Sequence, residues 1–171
     1  MKMLVALTAG ASMFAIAAFA QMAPSTDDFV AKAAAGSATE VQAGQLAAQK
    51  ASDKSVKAFG LRMLKDYGKA GKELMAILKK QGKTPPMDKP SPEGKSMIDK
   101  LNAAQGADFD RMYVDAMVMD HDKDVQEFAE YAKSGDDKQV KAFAKKTLAV
   151  IKMHDKMIHD IQSKMQKAAA R

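Results

Sequence analysis

The sequence predicts an all-α protein, a four-helix bundle. Three observations predict it. Apolar residues recur at helical spacing through four long segments. Aromatic residues make up only 6% of the 171 residues while hydrophobic residues reach 47%, with Ala, Lys and Met abundant, a balance that favours helices over a β-sandwich. Finally, Asp53-Lys54-Ser55-Val56-Lys57-Ala58-Phe59 matches Asp137-Lys138-Gln139-Val140-Lys141-Ala142-Phe143 at six of seven positions. Both copies stand where the second helix of a hairpin is expected to begin. Two such hairpins, joined by a Pro-rich crossover with a short extra helix, give the ferritin-like arrangement.

The elements follow in order. Residues 1–20 read as a secretory signal peptide: Lys2 opens a short basic start, an apolar run without acids follows, and Ala18 and Ala20 supply small residues for a cut after Ala20. The run is short for a membrane span, and Thr8, Gly10 and Ser12 dilute it. Residues 21–27 are then a linker, 28–165 the helical domain, and 166–171 a frayed tail. Ser25-Thr26-Asp27-Asp28 offers an N-cap with acids in the first turn, opening a helix to about Lys50. Ser52 is expected to cap a second helix, which runs to about Gln81 and stops at Gly82. Four of the five prolines (Pro85, Pro86, Pro90 and Pro92) mark the main break in the chain. Ser91-Pro92-Glu93 reads as an N-cap with Pro at the first helical position, opening a short helix to about Ala104. Gln105-Gly106 interrupts it. A third long helix spans Ala107 to Lys133, Ser134-Gly135 turns, and Asp136 is expected to cap a fourth long helix to about Met165.

Each long helix carries one apolar stripe. The first gives Phe29, Ala33, Gly36, Glu40, Ala43 and Ala47; the second Val56, Phe59, Met63, Tyr67, Ala70, Leu74 and Ile77. The third gives Val114, Met117, His121, Val125 and Phe128, with Asp124 at its edge; the fourth Val140, Ala144, Ile151, His154, Ile158 and Ile161. Every stripe therefore holds one group foreign to hydrocarbon: Glu40, Tyr67, His121 or His154. A buried carboxylate is costly unless paired, hydrogen-bonded or bound to a cation. Counted from the hairpin turns at about 1.5 Å per residue, partners within a hairpin differ in height by less than roughly 8 Å, so the four groups can converge near mid-bundle. Asp66 and Asp124 are close enough in sequence to join them.

Two readings of this convergence compete. One is a buried polar network in which Glu40 accepts from Tyr67 and an imidazole. The other is a metal site with mixed carboxylate and imidazole ligands (Glu40, Asp66, Tyr67, His121, Asp124 and His154) suited to one iron, manganese or zinc ion. The usual di-iron pattern needs Glu-x-x-His on two helices. Here the positions three before each His hold Val118, Ile151 and Lys156, which disfavours a standard di-iron oxidase. Eleven of the 14 methionines follow Ala20. Met117 shares a face with His121, and Met153 and Met157 flank His154, so copper handling is a third option beside ordinary core packing. His159 falls off the stripe, one turn after Asp155, and reads as a surface pair.

Other chemistry is excluded more firmly. The chain has no Cys, which rules out disulfides, thiolate metal sites, iron–sulfur clusters and a thiol nucleophile. It has no Gly-rich phosphate loop, G-x-S-x-G, H-E-x-x-H or EF-hand loop. The net charge of +6 comes from lysines interspersed with acids, a solvated helical surface without aromatic interleaving, so no nucleic-acid partner is expected. Weak attraction to the outer membrane or to anionic envelope polymers remains open. No later stretch is apolar enough to span a bilayer after cleavage.

At these residues the chain resembles the bacterial exported family called domain of unknown function 4142, often labelled a predicted outer membrane protein. The resemblance runs from about Asp28 to Gln162. It rests on Phe29-Val30, Ala33 to Gly36, Glu40-Val41, Gly44 and Leu46 to Ala51; on Val56 to Phe59, Arg62-Met63 and Asp66; and on Gly106, Phe109-Asp110, Tyr113, His121, Gly135, Lys141 to Ala144, Leu148 and His154. It implies a ferritin-like helical bundle and an exported address but no reaction. It also implies that Glu40, Asp66, His121 and His154 are recurring polar positions. Two departures matter. Family members commonly have Asp-His where this chain has Asp66-Tyr67, and Leu-Pro where it has Leu148-Ala149. The first removes an imidazole; the second should leave the last helix less kinked.

These observations together predict a periplasmic or envelope-associated helical bundle, more a non-catalytic binding or stress-associated protein than an enzyme, with a degenerate metal site in its core. The enzyme alternative is an iron- or manganese-dependent oxidase or peroxide-handling protein. A third class is a surface-acting interaction module that uses the lysine-rich faces.

Overall fold

The computed structural model describes residues 24–83 and 89–170, which form five helices and no strand. They are α1 (Thr26–Lys50), α2 (Lys54–Lys80), α3 (Pro92–Ala103), α4 (Gly106–Ser134) and α5 (Lys138–Ala169). The signal segment with its cut after Ala20, as well as Pro85 and Pro86, lie outside the described residues. No described helix is long and apolar enough to cross a membrane.

Local chemistry sets the helix ends. Ser25 caps α1 through the Asp28 N–H, and Ser91 caps α3 through the Gly94 N–H at 3.0 Å, with Pro92 in the first turn. Two expected caps are displaced by one residue. Asp53, not Ser52, caps α2, and Asp137, not Asp136, caps α5. At the later position each carboxylate accepts from two N–H groups, those of Ser55 and Val56 or of Gln139 and Val140. The displaced residues have other partners: the Ser52 N–H donates to Asp110 Oδ1 at 3.1 Å, and Asp136 accepts from the Thr26 hydroxyl. The two copies of the repeat thus share one cap, and both bury their Val and Phe. Gly82 ends α2 as expected. Its φ of +70° lets its N–H reach the Lys79 carbonyl at 3.1 Å and the Lys83 N–H reach that of Leu78 at 2.9 Å. The last helix ends later than the expected Met165: α5 continues through Ala169, in a run of good helix formers with Lys167 in the last turn.

In packing, α1 lies chiefly against α2, and α4 against α5. The α1–α2 crossing depends on small residues. A Cβ placed on Gly60 would stand 2.5 Å from that of Ala47 and 3.0 Å from the Gly44 carbonyl oxygen. The short α3 is tied to α1 by Lys50, whose ammonium donates to the Leu101 and Asn102 carbonyls at 3.1 and 2.6 Å.

The apolar interior is split in two. One cluster holds Ala43, Ala47, Val56, Phe59, Met63, Phe109, Tyr113, Met117 and Ile158. The other holds Phe29, Val30, Leu74, Leu78, Phe128, Tyr131, Val140, Phe143 and Ile151, with the Phe29 and Tyr131 rings stacked at 4.1 Å. On α1, α4 and α5 the chain passes from one cluster to the other across Glu40, His121 and His154. A polar layer therefore lies between two hydrophobic halves.

Candidate metal centre

The four stripe-breaking residues are all buried: Glu40 and His121 are 0% exposed, His154 1% and Tyr67 5%. Four helices supply one each, at the common height that the residue count requires. The Tyr67 hydroxyl donates to Asp124 Oδ2 at 3.1 Å and stands 3.4 Å from His121 Nε2. His121 Nδ1 donates to the Met117 carbonyl at 2.9 Å, which leaves Nε2 as the bare nitrogen. The two imidazoles are 5.8 Å apart between ring centroids. His154 Nε2 donates to Asp66 Oδ2 at 3.0 Å, and Arg62 Nε holds the same oxygen at 3.3 Å. A carboxylate behind an imidazole fixes the tautomer and leaves the other nitrogen, here Nδ1, with its lone pair free. That Nδ1 is buried and has no partner.

Glu40 is the exceptional member. Neither carboxylate oxygen accepts from an N–H or hydroxyl donor, and His121 Nδ1 is 3.8 Å from Oε1; the side chain in hydrogen-bonding reach is another acid, Asp120, with which Glu40 can share a proton. The expected network, with Glu40 accepting from Tyr67, does not form. Tyr67 turns to Asp124 instead, and the His121 proton goes to a main-chain carbonyl.

Electrostatics follows from burial. Desolvation pushes the Glu40 carboxyl well above the usual carboxylate range, and the negative charges of Asp120 and Asp124 push it further. Burial and Asp120 raise Asp124 to about 7. Burial lowers His121 to about 4 and lowers His154 as well, against the upward pull of Asp66. The upward shifts of Glu40 and Asp124 and the downward shifts of the two imidazoles all favour the uncharged forms of these groups. Asp120, itself raised by burial, was not among the expected site residues. Its sequence position carries a usable signal: it stands one turn before Asp124 and next to His121, on the flank of the α4 stripe.

The layer offers carboxylate oxygens, a phenol and two free imidazole lone pairs. Among the described residues, however, no three carboxylate or imidazole donor atoms of this layer lie within 4.8 Å of one another. The one trio that does is Asp122, Asp155 and His159, at the surface between α4 and α5. The Asp155–His159 pair expected from the sequence is present at 3.6 Å, and Asp122, the closer partner at 3.1 Å, joins it from the other helix.

Fold and layer define a class: an all-helical bundle with a polar layer through its core. The chain belongs to the family described as domain of unknown function DUF4142, whose model matches residues 11–161. Solved structures with the same fold are distant in sequence. A DUF305 fragment from Deinococcus radiodurans is 13% identical with a TM-score of 0.70, over 80% of this chain and 94% of that one. CopM in its Cu(II)-bound form is 17% identical with a TM-score of 0.71, over 84% and 99%. A DUF305 protein from Streptomyces coelicolor is 12% identical with a TM-score of 0.68, over 80% and 89%. No curated protein sequence matches the chain.

Proposed function

We propose that the protein is an exported, periplasmic or envelope-associated binding protein of ferritin-like four-helix layout, without catalysis of its own, whose polar layer takes up one transition-metal ion. The observation that carries this reading is Glu40: a fully buried carboxyl group faced by the acids Asp120 and Asp124 and by no N–H or hydroxyl donor, on a layer that also holds two imidazoles, one of them, His154, with an unpartnered Nδ1. Such a group costs stability unless something compensates it. An ion about 2.1 Å from one nitrogen of each ring holds two imidazole centroids about 5–6 Å apart, and the rings stand at 5.8 Å. Glu40, His121 and His154 are the primary ligands in this reading, with Asp124 and Tyr67 beside them and Asp66 orienting His154. Because no carboxylate–imidazole trio is preformed, uptake through Glu40, His121 and His154 requires side-chain rotation and the release of carboxyl protons. Oxygen and nitrogen donors suit iron, manganese or zinc.

Copper handling is a second reading. It is favoured by buried Met117, whose carbonyl holds His121, and by the Cu(II)-bound state of the structurally similar CopM. Elemental analysis of mature protein, purified without chelator or affinity tag, tests both readings. Near-stoichiometric metal that falls in His121→Ala and His154→Ala establishes the site and selects its ion. No metal, and no uptake on titration, leaves a purely structural polar layer.

A further inference from the structure

The surface seam between α4 and α5 carries the second cluster. Asp155 and His159, four residues apart on α5, present their side chains on one face. Asp122 meets them from α4. His159 Nε2 lies 3.1 Å from Asp122 Oδ1 and 3.6 Å from Asp155 Oδ1, and the three donor atoms are mutually within 4.8 Å. These separations suit a coordination sphere: ligand atoms about 2.1 Å from a common ion stand about 3.0 Å apart at a right angle and about 3.4 Å apart at the tetrahedral angle. Asp155 Oδ1 is shut off from solvent and accepts from no N–H or hydroxyl donor, although the side chain is partly exposed; the side chain that faces it from α4 is Asp122. Two carboxylates from different helices face each other there, and among the described residues no Lys or Arg forms an ion pair with either.

We propose that Asp122, Asp155 and His159 form a site for one divalent first-row transition-metal ion, held by His159 Nε2 and one oxygen of each carboxylate. Water completes the sphere from the open side, where Asp122 and His159 are about half exposed. One nitrogen and two oxygen ligands favour Cu(II) and Zn(II) over Mg(II) or Ca(II). The site is independent of the buried layer: it shares no residue with it, and it needs no rearrangement of the core.

Zinc titration calorimetry on the mature protein, beside His159→Ala, Asp122→Asn and His154→Ala, tests the assignment. Exposed positions should leave the helical circular-dichroism signal and melting temperature unchanged, so any lost binding is not lost folding. The expected result is a Zn(II) binding event weakened at least about tenfold in both surface variants and retained in His154→Ala. No zinc binding by the wild-type protein, or affinity unchanged in either surface variant, overturns the proposal. Binding lost only in His154→Ala also overturns it, while supporting the buried layer.

Discussion

The buried layer around His121 and His154 and the surface trio around His159 draw on the same residue types and solve opposite problems. In the layer, donors are plentiful and burial is deep, so the uncharged forms of Glu40, Asp124 and both rings are favoured; no three carboxylate or imidazole atoms converge. In the trio, solvent supplies screening, the carboxylates tolerate each other, and three donors converge without rearrangement. Burial therefore sets the strength and proton linkage of a polar cluster, whereas helix register sets its preorganisation. A chain can carry its most costly polar groups in one place and its most preformed ligand set in another.

The largest expected contrast is in stability. His121→Ala removes a fully buried ring packed against Phe59 and Tyr67, and should cost about 2–4 kcal/mol in denaturant unfolding. His159→Ala, at an exposed position, should stay within about 0.5 kcal/mol. Equal costs would remove the distinction between the clusters. The next effect has the opposite sign. Glu40→Met exchanges a buried carboxyl faced by acids for an apolar chain of similar length, and should stabilise the metal-free protein by about 1–3 kcal/mol while abolishing metal uptake by the layer. A destabilised variant would mean that the contact with Asp120 outweighs the cost of burying the carboxyl.

A third effect is a pH dependence. Asp124 has its folded-state carboxyl raised to about 7, so the unfolded chain loses this proton first. Its contribution to stability is full below the ordinary carboxylate range and is lost as pH rises through about 7. Burial of His121, lowered to about 4, works the other way and costs stability as pH falls below its ordinary value. Melting temperatures of Asp124→Asn relative to wild type should therefore climb from acid pH to about pH 7 and level off above it. A constant difference would place Asp124 in a solvated environment.

Much of the buried layer was legible in the sequence because hydrocarbon stripes make violations visible. Glu40, Tyr67, His121 and His154 each break a 3.6-residue pattern, and all four are buried. Asp120 was only weakly legible: its place one turn before Asp124 is a signal, but a carboxylate on the flank of a stripe looks like any solvated acid. The trio was half legible: Asp155 and His159 follow from spacing on one helix, but Asp122 joins them only through the register of α4 against α5. The caps illustrate the same limit. Ser52 and Asp53 are both good N-caps, as are Asp136 and Asp137. Tertiary partners, Asp110 and Thr26, decide which one the helix uses.

The most direct test of metal uptake by the polar layer is X-ray absorption spectroscopy on His159→Ala loaded with one equivalent of zinc, so that the surface trio is disabled. Two imidazole nitrogens and at least one carboxylate oxygen in the zinc sphere are predicted, from His154, His121 and Glu40. A zinc sphere with one imidazole or none, or no retained zinc, would contradict it.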